Sequence, residues 1–125
     1  MAVLLGLAAV AAALPQAQGH IELNATEFDF GTVPNTGPVS HTFQVRNAGQ
    51  GALRIDGVST SCGCTTARVA FTELAPGEST DLTVTCDPLA HDGALGEFLH
   101  IIYVRSDDAE TPEATLTIRV RVVVP

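Results

Sequence analysis

The sequence predicts an all-β fold, a sandwich of seven short antiparallel strands, and three observations predict it. Beyond Gly19 helix signals are scarce, whereas apolar and polar residues alternate with a period of two in run after run. The runs are short and are separated by clusters of Gly, Pro, Asn and Asp. Their number and spacing suit two sheets that each turn one face toward a shared core.

The first run, Ile21 to Val33, sets Phe28 and Phe30 on one face and Glu27 and Asp29 on the other. Asn35-Thr36-Gly37-Pro38 then supplies a turn, because glycine accepts positive φ and proline presets its own φ. The second strand, Val39 to Asn47, puts His41, Phe43 and Val45 on one face, and Asn47-Ala48-Gly49-Gln50-Gly51 breaks it. Leu53 and Ile55 open a third strand, disturbed at Gly57 by a bulge or bend. Thr65 to Phe71 form the fourth, and Ala75-Pro76-Gly77-Glu78 suits a type II turn with Pro and Gly at its centre.

The fifth strand, Ser79 to Cys86, faces Leu82, Val84 and Cys86 together until Asp87-Pro88 ends it. The sixth, Gly96 to Arg105, is apolar on both faces at Leu99, Ile101, Ile102 and Tyr103, which predicts a central place in its sheet. Asp107, Asp108, Glu110 and Glu113 read as a charged loop that shields a sheet end. The last strand, Thr115 to Val124, alternates Leu116, Ile118, Val120 and Val122 against polar residues. The expected core is Phe30, Phe43, Val45, Ile55, Leu82, Val84, Ile102, Val104, Ile118 and Val120.

The first nineteen residues carry an apolar stretch of thirteen, a proline, and Ala17-Gln18-Gly19, a small-x-small pattern suited to signal peptidase. The stretch is too short to cross roughly 30 Å of hydrocarbon, so it reads as an export signal although no basic residue precedes it. Removing nineteen residues from 125 leaves 106, enough for one domain with a core of its own. The net charge is −8, and the six basic residues are all arginines spread along the chain. Nucleic acid is therefore not an expected partner, since binding to phosphate backbones needs clustered cations. The remainder contains no stretch that would hold a stable membrane span.

Chemistry is suggested at one segment, Ser61-Cys62-Gly63-Cys64-Thr65-Thr66. Two thiolates across one glycine can approach a single soft cation such as Cu(I). They can equally close a short-loop disulfide, the default in an exported protein, or take part in thiol redox exchange. Pairing the strands on either side of the Pro-Gly turn sets Val69 opposite Leu82, Ala67 opposite Val84 and Thr65 opposite Cys86, which keeps one apolar face. That register brings Cys86 beside Cys64, within the roughly 7 Å Cα limit for a disulfide. Cys62, Cys64 and Cys86 are thus expected to form a three-thiol cluster that closes one disulfide or holds one soft ion when reduced.

The histidines add less. His41 and His100 lie in strands, where a histidine is usually a packed or rim residue bonded to a neighbour. His91, with Asp87 and Asp92, lacks the ligand spacing of a calcium loop. No Gly-x-Ser-x-Gly elbow is present, which argues against a hydrolase, and no residue is nominated as catalytic.

Taken in order, Phe28-Asp29-Phe30-Gly31-Thr32-Val33-Pro34, His41-Thr42-Phe43, Arg46-Asn47-Ala48-Gly49, Ser61-Cys62-Gly63-Cys64-Thr65 and Leu74-Ala75-Pro76-Gly77-Glu78 resemble the bacterial domain-of-unknown-function family 1573. The resemblance spans nearly all of the chain after Gly19. It implies an immunoglobulin-like sandwich related to the Hydin and major sperm protein group, exported by bacteria, and no established activity. Two features depart from the family pattern: Ser106-Asp107-Asp108 stands where an Asn-Asp pair is frequent, and Cys86 is additional to the usual cysteine pair.

The resulting expectation is a signal peptide over residues 1–19 and an immunoglobulin-like β-sandwich over 20–125. Its function is expected to be that of a non-enzymatic exported module, periplasmic or extracellular, that binds a protein partner or builds the envelope, without a cofactor. The alternative is a periplasmic soft-metal or thiol-redox protein that uses the Cys-Gly-Cys motif.

Overall fold

Alternation becomes architecture wherever two strands can bury their apolar faces against each other. The computed structural model describes residues 17–91 and 94–125. In chain order the strands are β1 (Ile21–Leu23), β2 (Glu27–Pro34), β3 (Val39–Asn47), β4 (Leu53–Thr60), β5 (Thr65–Val69), β6 (Glu73–Leu74), β7 (Ser79–Cys86), β8 (Gly96–Ser106) and β9 (Glu113–Val123), with one 3₁₀ turn at Pro88–His91. They form a four-stranded sheet ordered β1-β3-β7-β5 and a five-stranded sheet ordered β2-β9-β8-β4-β6. β8 holds the middle place of the larger sheet, as its two apolar faces require.

Among the described residues the sandwich has nine strands where seven were expected, and two local causes account for the difference. The run from Ile21 to Val33 is two strands in different sheets, because the backbone leaves β3 at Asn24. There Asn24 N–H donates to the Gln44 carbonyl at 3.1 Å while its Oδ1 accepts from Gln44 N–H at 2.8 Å. Two residues later the Thr26 carbonyl already accepts from Thr117 of β9, at 2.8 Å. The other addition, β6, pairs Leu74 with Leu53 over two residues, too short a run to show alternation. The sheets are also not wholly antiparallel, since β2 runs parallel to β9. Strands from opposite ends of the chain share no hairpin, so no turn imposes their relative direction.

Other local expectations hold. The register of β4 against β8 shifts between Ile55 and Gly57, where a Cβ added to Gly57 would meet Arg105 Nη2 at 3.2 Å. Gly77 adopts φ +82° and Glu78 N–H donates to the Ala75 carbonyl at 3.0 Å, the geometry of a type II turn. β5 pairs with β7 in the expected register, Thr65 with Cys86, Ala67 with Val84 and Val69 with Leu82.

Of the ten expected core residues, nine are buried and Phe30 is half-buried on the edge strand β2. Leu53, Leu74, Leu116, Val122 and Cys86 join them between the sheets.

One end of the sandwich is closed by two buried polar side chains. Asn47 Oδ1 accepts from His20 N–H (3.1 Å) and Gly49 N–H (2.9 Å), while its Nδ2 donates to the carbonyls of Gly51 (2.8 Å) and Leu74 (3.0 Å). All four capacities of the amide are used, which makes burial tolerable. Asp108 corrects the expectation of a solvated acidic loop, for it is only 2% exposed. Its Oδ2 accepts from Ile21 N–H (2.9 Å) and lies 2.9 Å from His20 Nδ1, and its Oδ1 accepts from Glu110 N–H (2.9 Å) and Thr111 N–H (3.2 Å). Burial pushes its pKa up, but the three backbone N–H bonds and His20 outweigh it and hold the carboxyl below the ordinary aspartate value.

The export segment expected over residues 1–19 lies, through residue 16, outside the described residues, as does Asp92. Among the described residues no helix is long and apolar enough to cross a membrane, which leaves membrane β-barrels unaddressed.

Candidate functional site

The opposite end of the sandwich holds the cysteines. β4 ends at Thr60 in the larger sheet and β5 begins at Thr65 in the smaller, so the four residues between them bridge the two layers. This bridge is tied at both sides. Ser61 N–H donates to the Ile101 carbonyl and its Oγ accepts from Ile101 N–H, both at 2.9 Å, which fastens it to β8. The Thr60 hydroxyl lies 2.8 Å from the carbonyl oxygens of Cys62 and Thr65, and Thr65 N–H donates to the Cys62 carbonyl at 3.1 Å. On the far side Asp87 N–H donates to the Cys64 carbonyl at 2.9 Å, continuing the β5–β7 ladder by one residue.

Cys62 and Cys64 are joined as a disulfide with Cα atoms 5.2 Å apart. Their exposure is unequal: Cys62 is half-buried and Cys64 is buried. Cys64 N–H points at Cys62 Sγ at 3.2 Å. Cys64 Sγ in turn lies 3.5 Å from His100 Nε2, 4.0 Å from His100 Nδ1 and 3.4 Å from Thr65 Oγ1. His100 belongs to the inward face of β8 with Phe98, Ile102 and Val104, is 4% exposed, and stacks near-parallel on Phe98 with ring centroids 6.2 Å apart. Cys62, Cys64 and His100 thus present three donor atoms that all lie within 4.8 Å of one another.

The expected third member takes a different place. Among the described residues that donor group does not include Cys86, which is fully buried and packed into the apolar core. Its thiol is a free one, hydrogen-bonded to the Thr65 side chain. The Thr65 hydroxyl therefore stands between two sulfurs, in hydrogen-bond contact with both. Burial pushes the Cys86 thiol up and the Thr65 bond brings it partly back, so it stays protonated at neutral pH. The expected β5–β7 register is present, but Cys64 precedes β5, in the bridge between the layers, and its sulfur lies against His100 of β8.

His100 is the residue that sequence reasoning left out of the site. A usable signal was its position: the Phe98, Ile102, Val104 face of β8 points inward, so His100 had to be buried near a polar partner. His41 is a packed residue instead, stacked on Phe28 with centroids 3.5 Å apart and set edge-on to Phe43 at 4.8 Å.

With two sheets, an open strand order and this rim site, the molecule is an immunoglobulin-like, PapD-like β-sandwich. Its structure is similar to a protein of unknown function from Porphyromonas gingivalis W83, at 29% identity and a TM-score of 0.77, over 87% of this chain and 50% of that one. It is similar in fold to the human ASH / PapD-like domain 7 of CEP192 (10% identity, TM-score 0.64, 84% and 86% covered). It is also similar in fold to the periplasmic chaperone SfaE (14% identity, TM-score 0.56, 85% and 61% covered). The chain thus spans half the length of the Porphyromonas protein. No curated protein matches it in sequence. The family model described as Protein of unknown function (DUF1573) matches residues 21–122, and the chain belongs to that family.

Proposed function

We propose that this chain is an exported, non-enzymatic module, periplasmic or extracellular, that works by holding another protein. The observation that carries the reading is the fold: the described chain is spent on a sandwich similar to a periplasmic chaperone and to a PapD-like domain. Export is supported by the signal-like composition of residues 1–19.

The sandwich offers a route for such binding at β5, an edge strand of the smaller sheet. Its ladder to β7 is carried by the even-numbered residues, since Ala70 N–H donates to Asp81 and the Cys64 carbonyl accepts from Asp87. The N–H and C=O groups of Ala67 and Val69 therefore point away from β7, where an extended segment of a partner can add as a further strand.

A partner captured from envelope extract should rebind the purified protein. Ala67→Pro, which removes an outward N–H and leaves the β7 ladder intact, should weaken that binding at least tenfold without moving the melting transition. Failure of any envelope protein to rebind would overturn the module reading, and undiminished binding by Ala67→Pro would overturn the β5 edge as the route. Fractionation of cells expressing the full chain tests export separately: retention in the cytoplasm would refute it.

A further inference from the structure

We propose that Cys62, Cys64 and His100 form a redox-gated site for one Cu(I) ion at the rim of the sandwich. This inference stands on the site geometry and is independent of the partner-binding reading.

Two sulfurs and an imidazole nitrogen all lie within 4.8 Å of one another, the spacing of atoms that share one ion at metal–ligand distances of roughly 2.0–2.3 Å. Thiolate sulfur favours soft ions, Cu(I) and Zn(II) foremost. A structural zinc site takes four protein donors, and among the described residues the group supplies three, a number that suits Cu(I). Cys64 and His100 are buried while Cys62 is half-buried, so the ion has an open side by which to enter.

The site is also preorganised. The segment that carries the sulfurs is bonded through Ser61 to Ile101, the residue next to His100. The sulfurs therefore sit on the bridge that continues β4, beside His100 on the neighbouring strand β8, and one short chain of hydrogen bonds holds them together. Two groups are also placed to steady the sulfurs as thiolates: Cys64 N–H faces Cys62 Sγ at 3.2 Å, and Thr65 Oγ1 lies 3.4 Å from Cys64 Sγ. Such outer contacts orient and tune metal ligands.

The gate is the disulfide itself. Joined to each other, the two sulfurs have no thiolate to offer. A dithiol reductant passes two electrons and two protons to the pair and leaves as its own disulfide, opening Cys62 and Cys64 to two thiols. Cu(I) then displaces both thiol protons and takes neutral His100 through Nε2, the ring nitrogen nearer to Cys64 Sγ. Once Cu(I) leaves and the thiols are reprotonated, exchange with an oxidising disulfide, which takes up the two electrons and two protons and leaves as a dithiol, closes the site again. Cys86 acts only through Thr65, as a neighbour of the site.

The test uses the full chain, reduced with dithiothreitol, freed of it without oxygen, and titrated with Cu(I) against a chromogenic chelator. One Cu(I) per chain should bind to the reduced protein and none to the oxidised one. X-ray absorption at the copper edge should show two sulfurs and one nitrogen. Cys62→Ser, at a half-exposed position, and His100→Gln, checked for folding by circular dichroism, should each weaken binding at least a hundredfold. Cys86→Ser should change it less than threefold. No competition with the chelator by the reduced wild type would overturn the site, and so would an all-sulfur copper shell. Loss of binding in Cys86→Ser with retention in His100→Gln would overturn the assignment of ligands, and a preference for Zn(II) would overturn the assignment of the metal.

Discussion

The two ends of the sandwich bury polar groups in different ways. At one end Asn47 and Asp108 spend their hydrogen-bonding capacity chiefly on backbone groups, drawn from four different segments of chain. At the other end Cys62, Cys64 and His100 turn their side chains toward each other, with sulfur contacts of 3.2–3.5 Å. A side chain saturated by backbone partners is a rivet, because it satisfies groups that would otherwise be orphaned. A cluster of soft donors that face one another holds little chain in place and keeps its chemistry. The comparison teaches that burial alone does not mark a site; what the buried atoms point at does.

The largest expected loss calibrates both ends against the core between them. Phe43 is fully buried, and Phe43→Ala should cost about 3–5 kcal/mol in denaturant unfolding. A loss below about 1 kcal/mol would show that the two sheets do not depend on this contact.

At the riveted end Asn47→Ala orphans two carbonyls and two N–H groups and should cost about 2–3 kcal/mol. A near-neutral result would mean that water replaces the amide, and the distinction between the ends would fail. Asp108→Asn should cost about 2 kcal/mol at neutral pH. Because its folded pKa is depressed, the stability contributed by Asp108 is present above the ordinary aspartate range and is lost as pH falls through the folded value. Melting curves of the wild type should therefore drop in acid more steeply than those of Asp108→Asn, and parallel curves would refute the linkage.

The smallest effect belongs to the cysteine end. A disulfide that closes so short a loop restrains the unfolded chain little, so reduction should cost at most about 1.5 kcal/mol and leave the protein folded. Unfolding on reduction would make this end a rivet too.

Much of the site was legible one residue at a time and illegible as a group. The Cys-Gly-Cys segment was visible as chemistry, and the β5–β7 register followed from the Pro-Gly turn because hairpin pairing is local. His100 was visible as a strand histidine, yet nothing in its neighbours announces Cys64. The two are brought together where the pairing of β4 with β8 runs on into the cysteine bridge, and no single turn links those strands to set their register. Asp108 was hidden for the same reason: its ligands include Ile21 and His20, which lie at the far end of the chain.

By itself the sequence determined the all-β class, the strands β3 and β7 to the residue, the bulge at Gly57, the positive φ at Gly77 and nine of ten core side chains. These follow from alternation and turn chemistry, which act over a few residues. Only the tertiary structure decided that the first run splits between sheets, that β2 lies parallel to β9, and that His100 rather than Cys86 meets the cysteine pair. Each of those depends on which distant strands pair and in which sheet, and hydrophobic burial rewards the meeting of apolar faces without specifying direction, partner strand or the polar side chain left at the rim.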